Sequence, residues 1–345
     1  MRFPLRAASF IAVWSLLSGC AGETSLSEPV AETAIPESPI ARCINISNAL
    51  EAPQEGEWGY TIETRHLEAI ATAGFDTIRL PVNWSGHTGP GPAYAIDPAR
   101  LARVDEVVDA ALDAGLKVIV DVHHFHEFSE DPAKYRPKLN AIWRQLSEHF
   151  EGAPGGVILE LLNEPHTEIG VAEIEAVNAD LLALVRERHP DRWVILGSSG
   201  WGSLEDWAET GWPKDPHLIT TFHYYEPWEF THEGAEWLEN PPAFSQPWGS
   251  RPRHAAAVAN DFETARGAAL AAGHPVLVGE FGVYRDLPAR ERVDWTRTVR
   301  TQAESAGFGW CYWGFGTAFR AYDLEAGAWI PDMADALGIT SEETP

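Results

Sequence analysis

The chain is 345 residues long, 45% hydrophobic, and carries a formal net charge of −26. That length buries a large core as either two small domains or one α/β barrel. The charge disfavours nucleic acid and other polyanions and leaves a neutral polysaccharide compatible, while three cysteines exclude a zinc site built on cysteine.

At the start, Arg2 and Arg6 precede the apolar run Ala7 to Leu17, which is too short to span a membrane as a helix. Leu17-Ser18-Gly19-Cys20 follows and resembles a bacterial lipobox. The expectation is a signal peptide over 1–19, with a lipidated Cys20 as the mature N-terminus. Such a protein is exported and held at the cell envelope or surface without a spanning helix. An ordinary secretory signal with an incidental cysteine is the plainer reading. Residues 20–42 hold Glu23, Glu28, Glu32 and Glu37 with Pro29, Pro36 and Pro39 and no periodic apolar face, the composition of a disordered tether. The folded domain is expected over 43–340.

From residue 43 onward one punctuation recurs: an alanine-rich helical segment ends at glycine and a short apolar run follows. It appears at Gly74 before Phe75–Leu80, Gly115 before Lys117–Val122, Gly273 before Pro275–Val278 and Gly307 before Phe308–Trp313. Cys43–Ile46, Val157–Leu162, Trp193–Leu196 and Leu218–Phe222 complete a set of eight strands. The pattern predicts an α/β fold, a single (β/α)8 TIM barrel, whose chemistry sits at the carboxyl ends of the strands. An open doubly wound sheet lacks support, because no glycine-rich phosphate loop follows an early strand. Cys43 and Cys311 are open to two outcomes, a disulfide or two buried thiols.

The carboxyl ends carry a polar set: Asn48 after the first strand, Arg79 on the second, and His123 and His124 after the third. Asn163 and Glu164 follow the fourth strand, His223 and Tyr225 the sixth, Glu280 the seventh, and Trp313 closes the eighth. Two carboxylates facing each other are what glycosidic cleavage requires, one protonated and one charged. Arg79 and Tyr225 are expected to donate to Glu280 and favour its charged form, which keeps a proton on Glu164. Trp313 offers a flat face to a sugar ring and Asn163 an amide to a hydroxyl. Singly, each has a plainer reading: Asn163-Glu164-Pro165 as a helix N-cap with proline opening the helix, Gly279-Glu280-Phe281-Gly282 as a turn with a solvated acid. Together, beside Arg79 and His223, they favour the enzymatic one.

His123-His124-Phe125-His126 raises a metal site. Neighbouring histidines on a strand face opposite ways and seldom share an ion, so no metal or other cofactor is expected. Trp84, Trp201, Trp228, Trp237 and Trp248 fall in loops and, as a group, suit the walls of a glycan cleft.

The runs Arg79-Leu80-Pro81, Val122-His123-His124, Leu162-Asn163-Glu164-Pro165, His223-Tyr224-Tyr225, Gly279-Glu280-Phe281-Gly282 and Tyr312-Trp313 resemble, in order and spacing, the motifs of glycoside hydrolase family 5 cellulases. The resemblance covers about Ile44 to Leu337. It implies a retaining endo-β-1,4-glucanase with Glu164 as acid/base and Glu280 as nucleophile, supported by Arg79, His123, Asn163, His223, Tyr225 and Trp313. The segments 45–53 and 230–237 look like loops of the thermophilic bacterial endoglucanases of that family. They make Asn48, Glu51, His124, His232 and Trp237 candidate sugar contacts. Some such enzymes also accept β-mannan, so β-glucan or mannan polysaccharides and their oligosaccharides are the expected partners of a monomer. A catalytically silent glycan-binding lipoprotein is the reading from another class. Two departures stand out: Ser47 where glycine is common, and Gly314 where an acidic residue is frequent.

Overall fold

The computed structural model describes residues 34–244 and 246–339. The expected signal peptide, Cys20, tether residues 20–33 and the boundary at residue 340 lie outside the described residues. Eight parallel strands close into a barrel in sequence order: β1 Arg42–Asn45, β2 Thr77–Leu80, β3 Lys117–Asp121, β4 Val157–Glu160, β5 Val194–Gly197, β6 Leu218–His223, β7 Val276–Phe281 and β8 Gly309–Tyr312. This is a (β/α)8 barrel, as the punctuation implied. Gly74, Gly115, Gly273 and Gly307 all take a left-handed backbone (φ 85°, 83°, 72° and 79°), the conformation glycine adopts most cheaply at a helix end.

Alternation along the strands divides the molecule into two cores. Outward residues such as Ile44, Ile78, Val118, Leu159 and Val278 pack under the helices in the larger cluster. Inward, a small plug of Cys43, Ile119, Ile158, Ile195, Ile219, Leu277 and Cys311 fills the amino end of the barrel. Two residues beyond Cys43, Ile119, Ile158 and Ile219 the inward positions turn polar, at Asn45, Asp121, Glu160 and Thr221, joined by Arg79 from β2, all buried. One end is therefore a hydrocarbon floor and the other a charged mouth.

Cys43 and Cys311 pair in register on β1 and β8 and form a disulfide, with their Cα atoms 4.1 Å apart. Residues 38–42, assigned to the tether from their composition, pack beneath the barrel. Ile40 is fully buried in the plug, and Arg42 opens β1 while its Nη2 donates to the Leu337 and Gly338 carbonyls (2.9 and 2.7 Å). The apolar side chain and the guanidinium have partners there that composition does not reveal. Among the described residues no helix is long and apolar enough to cross a membrane.

Candidate active site

Arg79 is the centre of the polar layer. Its fully buried guanidinium meets Asp121 Oδ2 at 2.8 Å, Glu160 Oε2 at 2.7 Å and Glu280 Oε1 at 2.7 Å, and also donates to Asn45 Oδ1 and Asn163 Oδ1. A buried charge is tolerated when it is paired and hydrogen-bonded on every side. Asp121 and Glu160, paired in register on β3 and β4, were not singled out from the sequence. Each ends a run of buried apolar residues, and the only signal was an acid at an inward position two residues above an isoleucine.

Glu280 reaches the mouth through an irregularity in β7. Phe222 pairs with Val278 but His223 pairs with Glu280, so two residues of β7 oppose one of β6. Such a bulge re-aims a side chain that strict alternation would send outward. Glu280 Oε2 then accepts from Tyr225 Oη at 3.0 Å. Glu164 comes from the loop after β4, where its backbone is left-handed (φ 42°). The helix after this loop begins only at Val171 and is capped by Gly170. Asn163 and Pro165 therefore neither cap nor open a helix, because the left-handed Glu164 turns the chain across the barrel mouth first.

His223 Nδ1 sits 2.6 Å from Glu164 Oε1 and 3.6 Å from Glu280 Oε2. Glu164, His223 and Glu280 each contribute an atom lying within 4.8 Å of the others. Burial pushes both carboxyls up to about 7; Arg79 opposes this for each, and His223 and Tyr225 also oppose it for Glu280. Each glutamate raises the other or is raised by a neighbouring acid, so the pair shares protons rather than titrating independently. We place the proton on Glu164, because Arg79 and Tyr225 both donate to Glu280. Burial lowers the His223 ring below its usual value, which keeps it neutral. The trio has the spacing of a metal site, but its oxygens already face the Arg79, Tyr225 and His223 donors.

Two cavities of about 500 and 560 Å³ flank the carboxyl pair and share Glu164, Tyr225, His232 and Trp237. The first contains Asn48, Glu51, His123, His124, Glu280 and Trp313; the second contains His223, Trp201 and Trp228. Trp313 lies parallel to His123 (5.7 Å, 6°), whose Nδ1 is held 2.8 Å from Asp121. Trp237 is 48% exposed against the edge of His232, and Trp228 stacks on His232. Asn48 accepts from Thr317 Oγ1 at 2.6 Å. Asn163 is buried under this floor, with its Oδ1 taken by Arg79 and its amide nitrogen 3.4 Å from His123 Nε2. The polar residues expected at the strand ends, with Glu51, His232, Trp237 and Trp313, thus gather at one mouth.

Several expectations need correction. Trp84 and Trp248 are buried, and Trp84 Nε1 donates to the Asp121 carbonyl, so they pack the scaffold. Trp201, Trp228 and Trp237 do line the cleft, joined by Trp58, 40% exposed beside His124 and not anticipated. His123 and His124 do not point to opposite faces: their rings lie 4.6 Å apart, because both follow the end of β3 and His124 is left-handed (φ 51°). Strand alternation does not apply to them. Glu51 is nearly fully buried, its carboxyl accepting from the amides of Asn48 and Ala49, and burial pushes it up to about 8. It shapes the loop that presents Asn48 as well as lining the cavity.

Residues 41–318 match the model of the cellulase family, glycosyl hydrolase family 5. Endoglucanase H of Acetivibrio thermocellus is 33% identical over 78% of this chain, which spans only 29% of that relative's length. Endoglucanase A of Ruminococcus albus is 29% identical over 85% of the chain and 88% of its own. A hyperthermophilic endo-β-1,4-glucanase solved with substrate superposes with a TM-score of 0.84 at 37% identity, over 87% of this chain and 97% of that one. Cel5A of Thermotoga maritima, solved with mannotriose, gives 0.83 at 33% identity, over 86% and 97%. The chain belongs to glycoside hydrolase family 5.

Proposed function

We propose that the protein is a retaining endo-β-1,4-glucanase acting through a covalent glycosyl-Glu280 intermediate. One observation carries this reading: Glu164 and Glu280 present oxygens within 4.8 Å of each other, with the strong donors Arg79 and Tyr225 gathered on Glu280. Retaining glycosidases hold their carboxyl groups about 5–5.5 Å apart, whereas inverting ones leave room for a water. Glu164 gives its proton to the leaving glycosidic oxygen as Glu280 Oε2 attacks the anomeric carbon. The C1–O bond to the leaving sugar breaks and an ester to Glu280 forms. Glu164, now charged, takes a proton from water, which attacks the same carbon and releases Glu280. Neutral His223 meets Glu164 in either protonation state, since its Nδ1 donates in one tautomer and accepts in the other. Trp313 supports the ring from one side, and the exposed indoles of Trp201 and Trp228 suit the leaving-group side.

A β-mannanase or glucomannanase activity is the second reading, favoured by the mannotriose complex of the Thermotoga neighbour. The test is reducing-sugar release from carboxymethylcellulose, barley glucan, glucomannan, mannan and xyloglucan. Faster turnover of the glucans supports the first reading and faster turnover of mannan the second. No release from any of them would leave a glycan-binding protein. We further propose export with a lipid on Cys20, supported by the Leu17-Ser18-Gly19-Cys20 run. Cys20→Ser should abolish fatty-acid labelling and release the protein from membranes.

A further inference from the structure

Trp313 gives the cleft its flat face, and the peptide that follows it has no free space on either side. A Cβ built on Gly314 overlaps the Ser47 hydroxyl, and rotating that hydroxyl away still leaves the Ser47 Cβ at 2.9 Å. That is well inside the separation of about 3.5–4.0 Å at which carbon atoms attract. From the opposite side, a Cβ on Gly282 runs into the Trp313 carbonyl and comes to 3.1 Å from Phe319 Cδ1. The contact cannot open by drifting apart, because the two loops are laced on both sides of it. Phe315 N donates to the Asn45 carbonyl at 3.0 Å and Thr317 Oγ1 to Asn48 Oδ1, one on each side of the contact, while Trp313 N donates to the Phe281 carbonyl at 2.8 Å and ties the same peptide to β7. Ser47 is 1% exposed and its hydroxyl has no partner among the described residues. A buried hydroxyl without a partner is a cost, so neither a cap nor a hydrogen-bond network accounts for serine here.

We infer that Ser47 and Gly314 are a matched pair that positions Trp313. Ser47 occupies the volume that a side chain at 314 would need, and the absence of that side chain lets the β1 loop close on the peptide carrying the indole. The two departures noted in the sequence are then one linked change: a side chain at 314 requires glycine at 47. The functional half of this inference rests on the reading of Trp313 as a sugar-binding face.

The experiment compares Gly314→Ala, Ser47→Gly, Ser47→Gly/Gly314→Ala and Ser47→Ala/Gly314→Ala, with the thermal midpoint of each and separate kcat and KM for cellopentaose. Gly314→Ala should lower kcat/KM by on the order of tenfold to a hundredfold, the effect of misplacing a positioning group by about an ångström. Ser47→Gly/Gly314→Ala should recover to within a few fold of the parent. Ser47→Ala/Gly314→Ala should stay impaired, because its Cβ remains in the way. Parental kcat and KM in Gly314→Ala would overturn the inference. So would failure of the glycine double variant to recover, or a loss that only follows the unfolded fraction. If the parent is inert on cellopentaose, the functional reading fails, yet recovery of the thermal midpoint in the double variant still reports whether the pair is matched.

Discussion

Arg79 Nη1 donates to Glu280 Oε1 at 2.7 Å, and the same guanidinium neutralises Asp121 and Glu160 beneath it. One cation thus holds the nucleophile in place and keeps two further carboxylates in the barrel interior. Arg79→Ala should cost about 3–5 kcal/mol in denaturant unfolding, since it leaves three buried acids without a counter-charge. Arg79→Lys keeps the charge but loses the planar fork and should cost less stability while still lowering kcat. Equal stability of the two variants would contradict this.

The two catalytic candidates should separate by leaving group. Glu280→Ala removes the nucleophile and should abolish turnover of every substrate. Glu164→Ala removes general acid catalysis, about 10²–10⁴-fold on polysaccharide, and should spare aryl glycosides whose leaving group needs no proton. Equal losses on both substrate types would refute the assignment.

Activity should follow a bell in pH whose alkaline limb falls as pH rises through about 7, where Glu164 loses its proton. The acid limb falls at lower pH, when the pair that shares the first proton takes up a second and Glu280 is neutralised. Glu164→Gln should remove the alkaline limb from whatever activity remains on activated aryl glycosides.

Stability should drift the same way for a different reason. Glu51, Glu164 and Glu280 have folded pKa values raised above 4.5, to about 8, 7 and 7. Above about pH 6.5 the histidines with lowered rings, His123, His124 and His232 among them, are neutral both folded and unfolded. There the three carboxyls make the folded state bind more protons, so unfolding free energy falls as pH rises from that point to about 8; below it those histidines oppose the trend. Glu51→Gln should flatten the upper part of this slope. Glu51→Ala orphans the Asn48 and Ala49 amides and should cost about 1–3 kcal/mol at pH 5, where the parent carboxyl is neutral.

Reduction of the Cys43–Cys311 bond should lower the denaturation midpoint by the equivalent of about 2–4 kcal/mol, through greater freedom of the unfolded chain. An unchanged midpoint after verified reduction would show that the β1 and β8 hydrogen bonds hold the seam unaided.

The barrel and its mouth were legible because glycine after an alanine-rich helix and an apolar run are local signals. Arg79, Glu164, Tyr225 and Glu280 stood out as polar residues at the ends of such runs. Asp121 and Glu160 did not, since an acid at the last residue of a strand reads the same whether it faces in or out. Strand alternation alone would have sent Glu280 outward, and only the pairing of His223 with Glu280 reveals the bulge that turns it. The left-handed backbones of Glu164 and His124 are equally invisible in residue type, which is why the helix cap and the divided histidines were misread. Trp84 and Trp248 could not be told from Trp201 and Trp228 without tertiary packing.

The central claim is that Glu164 and Glu280 act together by double displacement. Proton NMR of cellopentaose hydrolysis, recorded before mutarotation, tests it most directly. The account predicts that the β-anomer appears first at the new reducing end. First appearance of the α-anomer would mean inversion and would contradict the covalent Glu280 intermediate.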